Sequence, residues 1–325
     1  MKLYKYASPR TVDKIFRRDG AVYLKASRPK EFNDPFELFL TLRTAGVAPE
    51  VLAFYQDVVG AVPQWPTVCF SKRPDVIPMW AHYGQECSGF AVEVEEELLT
   101  KTFPDIRAED VSYSSDPTTI DIGLVQHAAM TCKPRHSYSV QSAAVSAAYF
   151  TKNAVWNYEL ERRVVLNSMA TVSIGGHTLL RLPEKSVTAL ISGPRANMRF
   201  RRRLEAIADA LGAACFQLHI PRNSTSAFFT SGAGETFTFD GSALALTHDT
   251  CIECGEPLQD DSNETCAWCS ISEAHRVDAA RTNPLRMLAN LGMLEEYVEG
   301  MRRIADEAPR GQSLNTSRPP SPQDS

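Results

Sequence analysis

The sequence predicts an α+β protein. Residues 1–245 form a single mixed domain around a central, largely antiparallel sheet. A small four-cysteine ribbon follows at 246–272, then a helical segment at 273–306 and a loose tail at 307–325. Three observations carry this. Short runs with period-two alternation, such as FAVEVE (90–95), interleave with stretches of helical apolar spacing, such as PEVLAFYQDVVGAV (49–62). Hydrophobic residues make up 43% of the 325 and charged residues 22%, which is enough apolar material for a folded core. Four of the eight cysteines are bunched between 251 and 269, ahead of a proline- and serine-rich end, APRGQSLNTSRPPSPQDS, that is disordered by composition.

The elements follow in order. LYKY (3–6) is a short strand, and a helix at about 10–18 is closed by Asp19-Gly20, where glycine suits a left-handed cap. A strand at 21–26 leads into the turn SRPKEFNDPFEL (27–38) and the helix at 49–62. TVCFSK (67–72) is a buried strand, PMWAHYGQECSG (78–89) a short helix ending in glycine, and FAVEVE an alternating strand. AEDVSYSS (108–115) is a further strand, IDIGLVQHAAMTC a helix, and a serine- and alanine-rich region runs toward 153. WNYELERRVVL (156–166) alternates throughout. Trp156, Tyr158, Leu160, Arg162 and Val164 share one face of it, and Asn157, Glu159, Glu161, Arg163 and Val165 the other. Residues 186–212 read as strand, Gly-Pro turn and amphipathic helix. AACFQLHIP and ETFTFDG supply late strands, and a last helix spans about 283–304.

A net charge of −5 and a pI near 5.9 give no global sign of nucleic-acid or membrane binding. RFRRRLE (199–205) is the one local basic candidate, and it also reads as the solvated face of a helix. The amino-terminal stretch lacks a secretory apolar run, and no window reaches the ~18 residues of a membrane span. A cytoplasmic protein with reduced thiols is expected, with Cys69, Cys87, Cys132 and Cys215 as small buried hydrophobes. Neither a Walker loop nor Gly-x-Gly-x-x-Gly is present, which disfavours a P-loop or Rossmann enzyme.

CIECGEPLQDDSNETCAWCS (251–270) is Cys-x2-Cys, eleven residues, Cys-x2-Cys. Each pair makes a tight knuckle, and two knuckles complete a tetrahedron of thiolates. Cys251, Cys254, Cys266 and Cys269 are therefore expected to bind zinc. With four thiolates no position stays open for water, so the metal's role is structural. The acidic surroundings (Glu253, Glu256, Asp260, Asp261, Glu264) argue against a phosphate backbone as the ribbon's partner.

Asn33-Asp34-Pro35 between Phe32 and Phe36 has two readings. It is an ordinary Asx turn pinned by aromatic anchors, or the polar rim of a pocket. Four segments bear on the choice: LYKY, SRPKEFNDPFE, CFSKRPDVIPMWAHYGQECSGFAVEV and VWNYELERRVV. In this order and spacing they resemble the bacterial family known as domain of unknown function 2971, over roughly residues 1–215. Together they supply Tyr6, Asn33, Asp34, Trp80, His82, Tyr83, Glu159, Glu161 and Arg162. Such a set can line a cleft where a flat heteroaromatic ring stacks while carboxylates handle a ribose or a proton. Two like charges on one strand face would raise one carboxylate's pKa, which suits a general base or the stabilisation of a cation.

The arrangement is also similar to the ADP-ribosyltransferase superfamily. There a first-strand His or Arg, a second-strand aromatic or Ser and a late Glu-x-Glu bind NAD and stabilise an oxocarbenium-like state. LYKY, CFS and YELER fall in that order, with Tyr6 or Lys5 where His or Arg would stand. The resemblance implies a nucleotide or NAD-like ligand, an enzyme of the toxin or phage-defence kind, and an acceptor that is protein or nucleic acid. Glu161, Glu159 and His82 would be catalytic, and Tyr6, Asn33, Asp34, Ser71, Trp80, Tyr83 and Arg162 would bind the ligand. The competing readings are that Glu159 and Glu161 pair with Arg162, Arg163 or Lys152 on an exposed strand, that His82 is structural, and that Trp80 and Trp156 are core. Under them the protein is a non-catalytic scaffold whose ribbon recruits a partner.

Overall fold

A computed structural model describes residues 1–34, 44–115, 120–183, 185–259 and 264–307. The strands are β1 (Lys2–Ala7), β2 (Tyr23–Lys25), β3 (Thr67–Ser71), β4 (Phe90–Glu95), β5 (Arg107–Asp110), β6 (Ser112–Ser114), β7 (Thr151–Asn153) and β8 (Glu161–Val165). After them come β9 (Thr171–Ile174), β10 (His177–Arg181), β11 (Val187–Ser192), β12 (Ala214–His219), β13 (Phe228–Ser231), β14 (Thr236–Phe239) and β15 (Leu244–Thr247). Ten of them make one sheet in the order β15-β14-β13-β12-β11-β4-β1-β3-β8-β5. Every pairing in it is antiparallel except β11–β12, which needs the crossover helix Met198–Leu211. The fold is α+β, as the alternating runs predict.

The sheet is covered on both faces. Leu3, Val92, Val94, Leu190 and Leu204 belong to one buried cluster, with Leu204 supplied by helix Met198–Leu211. Tyr4, Tyr6, Trp80, Ala91, Ile191 and Phe229 belong to another. Tyr4 and Tyr6 against Leu3 is the period-two alternation of a strand with apolar layers on both sides. Helices Pro49–Gly60, Ile122–Thr131 and Pro134–Phe150 pack around Val125, Val140 and Ala144 in a third cluster.

Several elements depart from the sequence reading for local reasons. The helix at 78–89 stops at His82, because Gln85, Glu86 and Cys87 all take positive φ. Val111 divides 108–115 into β5 and β6. The serine- and alanine-rich stretch is the seventeen-residue helix Pro134–Phe150, whose small residues let it pack closely. Residues Ala154–Glu159 form a 3-10 helix, so the strand expected from 156 begins only at Glu161. The basic run is a helix face on which Arg201 bonds Gln217 and Arg203 pairs with Asp13.

Two compact units result, Met1–Glu264 and Thr265–Ser325. The second carries helices Glu273–Thr282, Pro284–Asn290 and Leu294–Glu307 where a single helix from 283 is expected. No helix among the described residues is long and apolar enough to cross a membrane. Phe36, expected as the second anchor of the Asn-Asp-Pro turn, and the tail from 308 lie outside the described residues.

Candidate functional site

In the middle of the sheet, β1 is fully paired on one side only. It runs in register with β4 from Lys2–Glu95 to Ala7–Phe90, but its register with β3 is the single pair Tyr4–Ser71. The two strands splay beyond that point, and the Lys5 ammonium donates across the gap to the Cys69 carbonyl at 2.8 Å. The split opens a cavity of about 230 Å³ whose wall includes Lys5, Tyr6, Ser71, Tyr83, Glu159 and Glu161.

Two carboxylates reach this cavity by different routes. Glu161 is the first residue of β8 and the register partner of Ser71. Glu159 ends the 3-10 helix, whose start is capped by the Asn153 side chain accepting from Val155 N–H at 3.0 Å. Leu160 between them is left-handed, φ 46° and ψ 49°. That reversal turns both carboxylates to one side although only one lies on the strand. The Tyr113 hydroxyl accepts the Glu161 backbone N–H at 2.8 Å and fixes where β8 begins.

Glu159, Glu161, Lys152 and Arg163 are all buried. Lys152 Nζ donates to Glu159 Oε2 at 2.6 Å and to Glu161 Oε2 at 3.4 Å. Arg163 forks onto Glu161, Nε to Oε1 at 2.9 Å and a terminal nitrogen to Oε2 at 3.0 Å. Two negative and two positive groups thus balance in a space too dry for an unpaired ion. Burial alone would raise the Glu161 pKa, but the Arg163 charge and hydrogen bonds, with Lys152 and the Cys69 thiol, outweigh it and hold the carboxyl at about 2. The raised carboxylate expected from two like charges is therefore not found at Glu161, because the cations came with them.

At the rim, Asn33 Nδ2 donates to the Tyr83 hydroxyl at 2.7 Å, and that hydroxyl donates to Glu159 Oε1 at 2.6 Å. Burial, then the hydrogen bond to Glu159, pushes the Tyr83 phenol well above its usual range, so it stays a donor. Phe32 lies under the Arg163 guanidinium, 4.9 Å from its ring centre. Asp34 is buried beside it in sequence but is not part of the cavity wall.

The split thus brings together Tyr6, Asn33, Ser71, Tyr83, Glu159 and Glu161, with the Tyr6 hydroxyl donating to Arg73 O at 2.8 Å. Others stand elsewhere. Arg162 points to the opposite side of β8, where it pairs with Glu96 at 2.6 Å and Asp110 at 2.8 Å, so it is not a ligand of this cavity. His82 is exposed, its ring centre 6.2 Å from that of Tyr158, outside the wall. Trp80 is fully buried, donates from Nε1 to Pro74 O at 2.8 Å, and is core rather than a stacking platform. Trp156, Tyr158 and Leu160 are only half-buried, and the 3-10 helix breaks the strand alternation expected to set them on one face. Lys152 and Arg163 are buried, where the sequence suggests exposed pairing partners, and Tyr113 carries no sequence signal. The Glu-x-Glu-x-Arg spacing was the clue to Arg163, since i and i+2 share a strand face.

The cysteine segment forms a separate candidate centre. Sγ atoms of Cys251, Cys254, Cys266 and Cys269 all lie within 4.8 Å of one another. A tetrahedral thiolate site with metal–sulfur bonds of ~2.3 Å needs sulfurs roughly 3.8 Å apart, so the set fits a metal ion. The first knuckle is built to shape. Gly255, at φ 72°, follows Cys254 and donates its N–H to Cys251 O at 2.8 Å, and Cys251 N–H bonds Glu256 O at 2.9 Å. Glu256 is buried and accepts from the backbone of Arg222 and Asn223, which ties the knuckle to the loop before β13.

Residues 79–164 match the profile of the family described as Protein of unknown function (DUF2971). The match opens on the segment carrying Tyr83 and runs through Lys152, Glu159, Glu161 and Arg163. No curated protein and no solved structure matches the chain.

Proposed function

We propose that this chain, whose residues 79–164 carry the DUF2971 signature, binds the ribosyl end of a nucleotide such as NAD in the split between β1 and β3. It would transfer the ADP-ribosyl group from there, as ADP-ribosyltransferases do. One observation carries the reading. Tyr4, Ser71 and Glu161 are successive register partners on the adjacent strands β1, β3 and β8, and all three reach the wall of one cavity. Residues paired across neighbouring strands share a sheet face, so this row sets a hydroxyl and a carboxylate side by side.

The chemistry follows from the charges. As the N-glycosidic bond breaks, nicotinamide leaves with the bonding electrons and positive charge develops on the ribose ring. Glu161 is ionised at every pH well above about 2, so it is a poor base at neutrality and a standing negative charge for that cation. Arg163 and Lys152 hold it in place. Glu159, reached from the rim through Tyr83 and Asn33, is the carboxylate left to orient an acceptor or take its proton. A cavity of about 230 Å³ is smaller than the usual ~300–1,000 Å³ ligand pocket, so it takes a ring and a sugar and leaves the remaining nucleotide at the surface.

The second reading is a binding protein without chemistry. It draws support from the charge balance, since Glu161 is already matched by Arg163 and Lys152. Incubation of purified protein with labelled NAD and lysate separates the two. Label transfer that Glu161→Gln lowers by about two to three decades supports the enzyme. NAD binding by calorimetry without transfer supports the binding protein, and neither signal sinks both. For the cysteine cluster we infer a structural zinc, checked by elemental analysis of freshly purified protein.

A further inference from the structure

The cavity accounts for one end of a dinucleotide only. At about 230 Å³ it takes a ring and a sugar, and a second base stays outside. Where that base rests depends on what stands beyond the rim.

Two pairs of consecutive residues build the rim there. Tyr83 and Glu159 line the cavity and are joined by their 2.6 Å hydrogen bond. The residues before them, His82 and Tyr158, stand outside the wall with ring centres 6.2 Å apart and planes inclined at 33°. Trp156 continues the series, 6.1 Å from Tyr158 and inclined at 39°. Three rings thus form a strip along the outside of the rim.

The strip is held by its backbone. Tyr83 N–H bonds Met79 O at 2.9 Å and ends the helix that carries His82. Leu160 N–H bonds Asn157 O at 3.2 Å and closes the 3-10 helix that carries Trp156 and Tyr158. The Lys152 ammonium lies 4.9 Å from the centre of the Trp156 ring. Tyr158 packs in part against the cluster around Trp80, while Trp156 belongs to no core cluster among the described residues. The His82 ring and the Tyr158 hydroxyl make no hydrogen bond to the described residues. The nearby charges are spent on one another, Lys152 on Glu159 and Glu161, so the strip offers flat neutral area rather than a counter-ion for phosphate.

We propose that His82, Tyr158 and Trp156 seat the second base of the dinucleotide, the purine of an ADP-ribosyl group. The base lies against Tyr158, with the remainder of the ligand entering the cavity past Glu159. The inference rests on the nucleotide reading above and adds the part of the ligand that the cavity leaves outside. A ring clamped between two others needs about 7 Å, twice a carbon contact of ~3.5 Å. The spacings here are shorter, so the base rests on the strip and is not clamped in it. Every base has a flat face, so the strip selects a large ring system rather than adenine in particular.

Calorimetry with ADP-ribose tests this. The probe carries the base and no nicotinamide, so the strip is read without any transfer. Tyr158→Ala should weaken ADP-ribose binding about tenfold, the usual effect of removing one stacking ring, and Tyr158→Phe should bind as the wild type does. His82→Ala is the second arm, since an exposed side chain can be removed without loss of the fold, and it should weaken binding in the same direction. Wild-type protein that does not bind ADP-ribose overturns the inference. So do Tyr158→Ala and His82→Ala proteins that bind it unchanged, even where label still moves from NAD. Failure of the transferase reading looks different: ADP-ribose binds, responds to both substitutions, and no label moves from NAD, which supports the seat and removes the transfer.

Discussion

Glu161 holds a charge on a nearly buried side chain at the cavity wall, and its stability effect has a definite sign. The folded carboxyl sits at about 2 and the ordinary value is 4.5. The folded state therefore binds this proton more weakly than the unfolded chain. The stabilisation, roughly 3 kcal/mol, is present in full above the ordinary value and is lost as pH falls from about 4.5 toward about 2. Urea denaturation at pH 7 and pH 3 should show this loss in the wild type, and less of it in Glu161→Gln. Arg163→Met removes the fork and leaves a buried carboxylate short of a partner, which should cost about 3–5 kcal/mol in the same measurement. Asn33→Ala touches an exposed residue whose side-chain bond goes to Tyr83. It should abolish the proposed transfer while the melting temperature barely moves, and a fall of many degrees would mean that the turn is structural. The polar residues of the site were legible because the chemistry-bearing types cluster in the resembling segments. Pairing of the glutamates with Lys152 or Arg163 was legible too, but its burial was not, because spacing alone does not say that Lys152 reaches over to both carboxylates inside the fold.

The segment after Tyr83 shows how an element can be fixed by what surrounds it. Gln85, Glu86 and Cys87 take φ of 46°, 55° and 66° in succession, a left-handed turn that L residues disfavour by ~1–2 kcal/mol each. It persists because Gly89 N–H bonds Gly84 O at 2.7 Å, Cys87 N–H bonds Trp80 O at 3.0 Å, and Arg195 N–H bonds Cys87 O at 2.9 Å. Glycines make room for it, since a side-chain carbon at Gly89 would stand 2.2 Å from Ala7 O and one at Gly193 2.4 Å from Cys87 O. Two substitutions should therefore move thermal stability in opposite directions. Exposed Glu86→Gly relieves strain and should raise stability by about 0.5–1 kcal/mol, the relief exceeding the entropy glycine adds to the unfolded chain. Gly89→Ala forces a strand backbone aside and should lower it by several kcal/mol. The glycines at 84 and 89 were visible in the sequence, but the handedness between them was not. In 156–166, likewise, the alternation was real from Glu161 onward, while the residues before it form a 3-10 helix closed by left-handed Leu160.

At the scale of the molecule, the α+β class was legible from alternation and helical spacing, and the cysteine cluster from spacing alone. The order of strands was not, because β1 takes its partners from β3 and β4, whose paired residues lie 67 to 93 positions further along the chain. The metal prediction belongs here as well. Chelation, or Cys254→Ser, should release the segment 250–272, seen as faster amide exchange and proteolysis there. The main transition, carried by the sheet, should stay within a few degrees, since its core clusters draw on no cysteine of the set. A single cooperative loss of both would contradict it.

The central position of β1 has a consequence for synthesis. A strand made at residues 2–7 cannot form its ladder until Glu95 has left the ribosome, and its contact with Ser71 must be in place as well. Until then Leu3, Tyr4 and Tyr6, all buried in the finished sheet, remain exposed on the nascent chain. At about 5–20 residues per second that wait is several seconds or longer. The strand that opens the cavity is thus made before its partners and seated late, and the nascent segment that carries it is where a chaperone would find the most to hold.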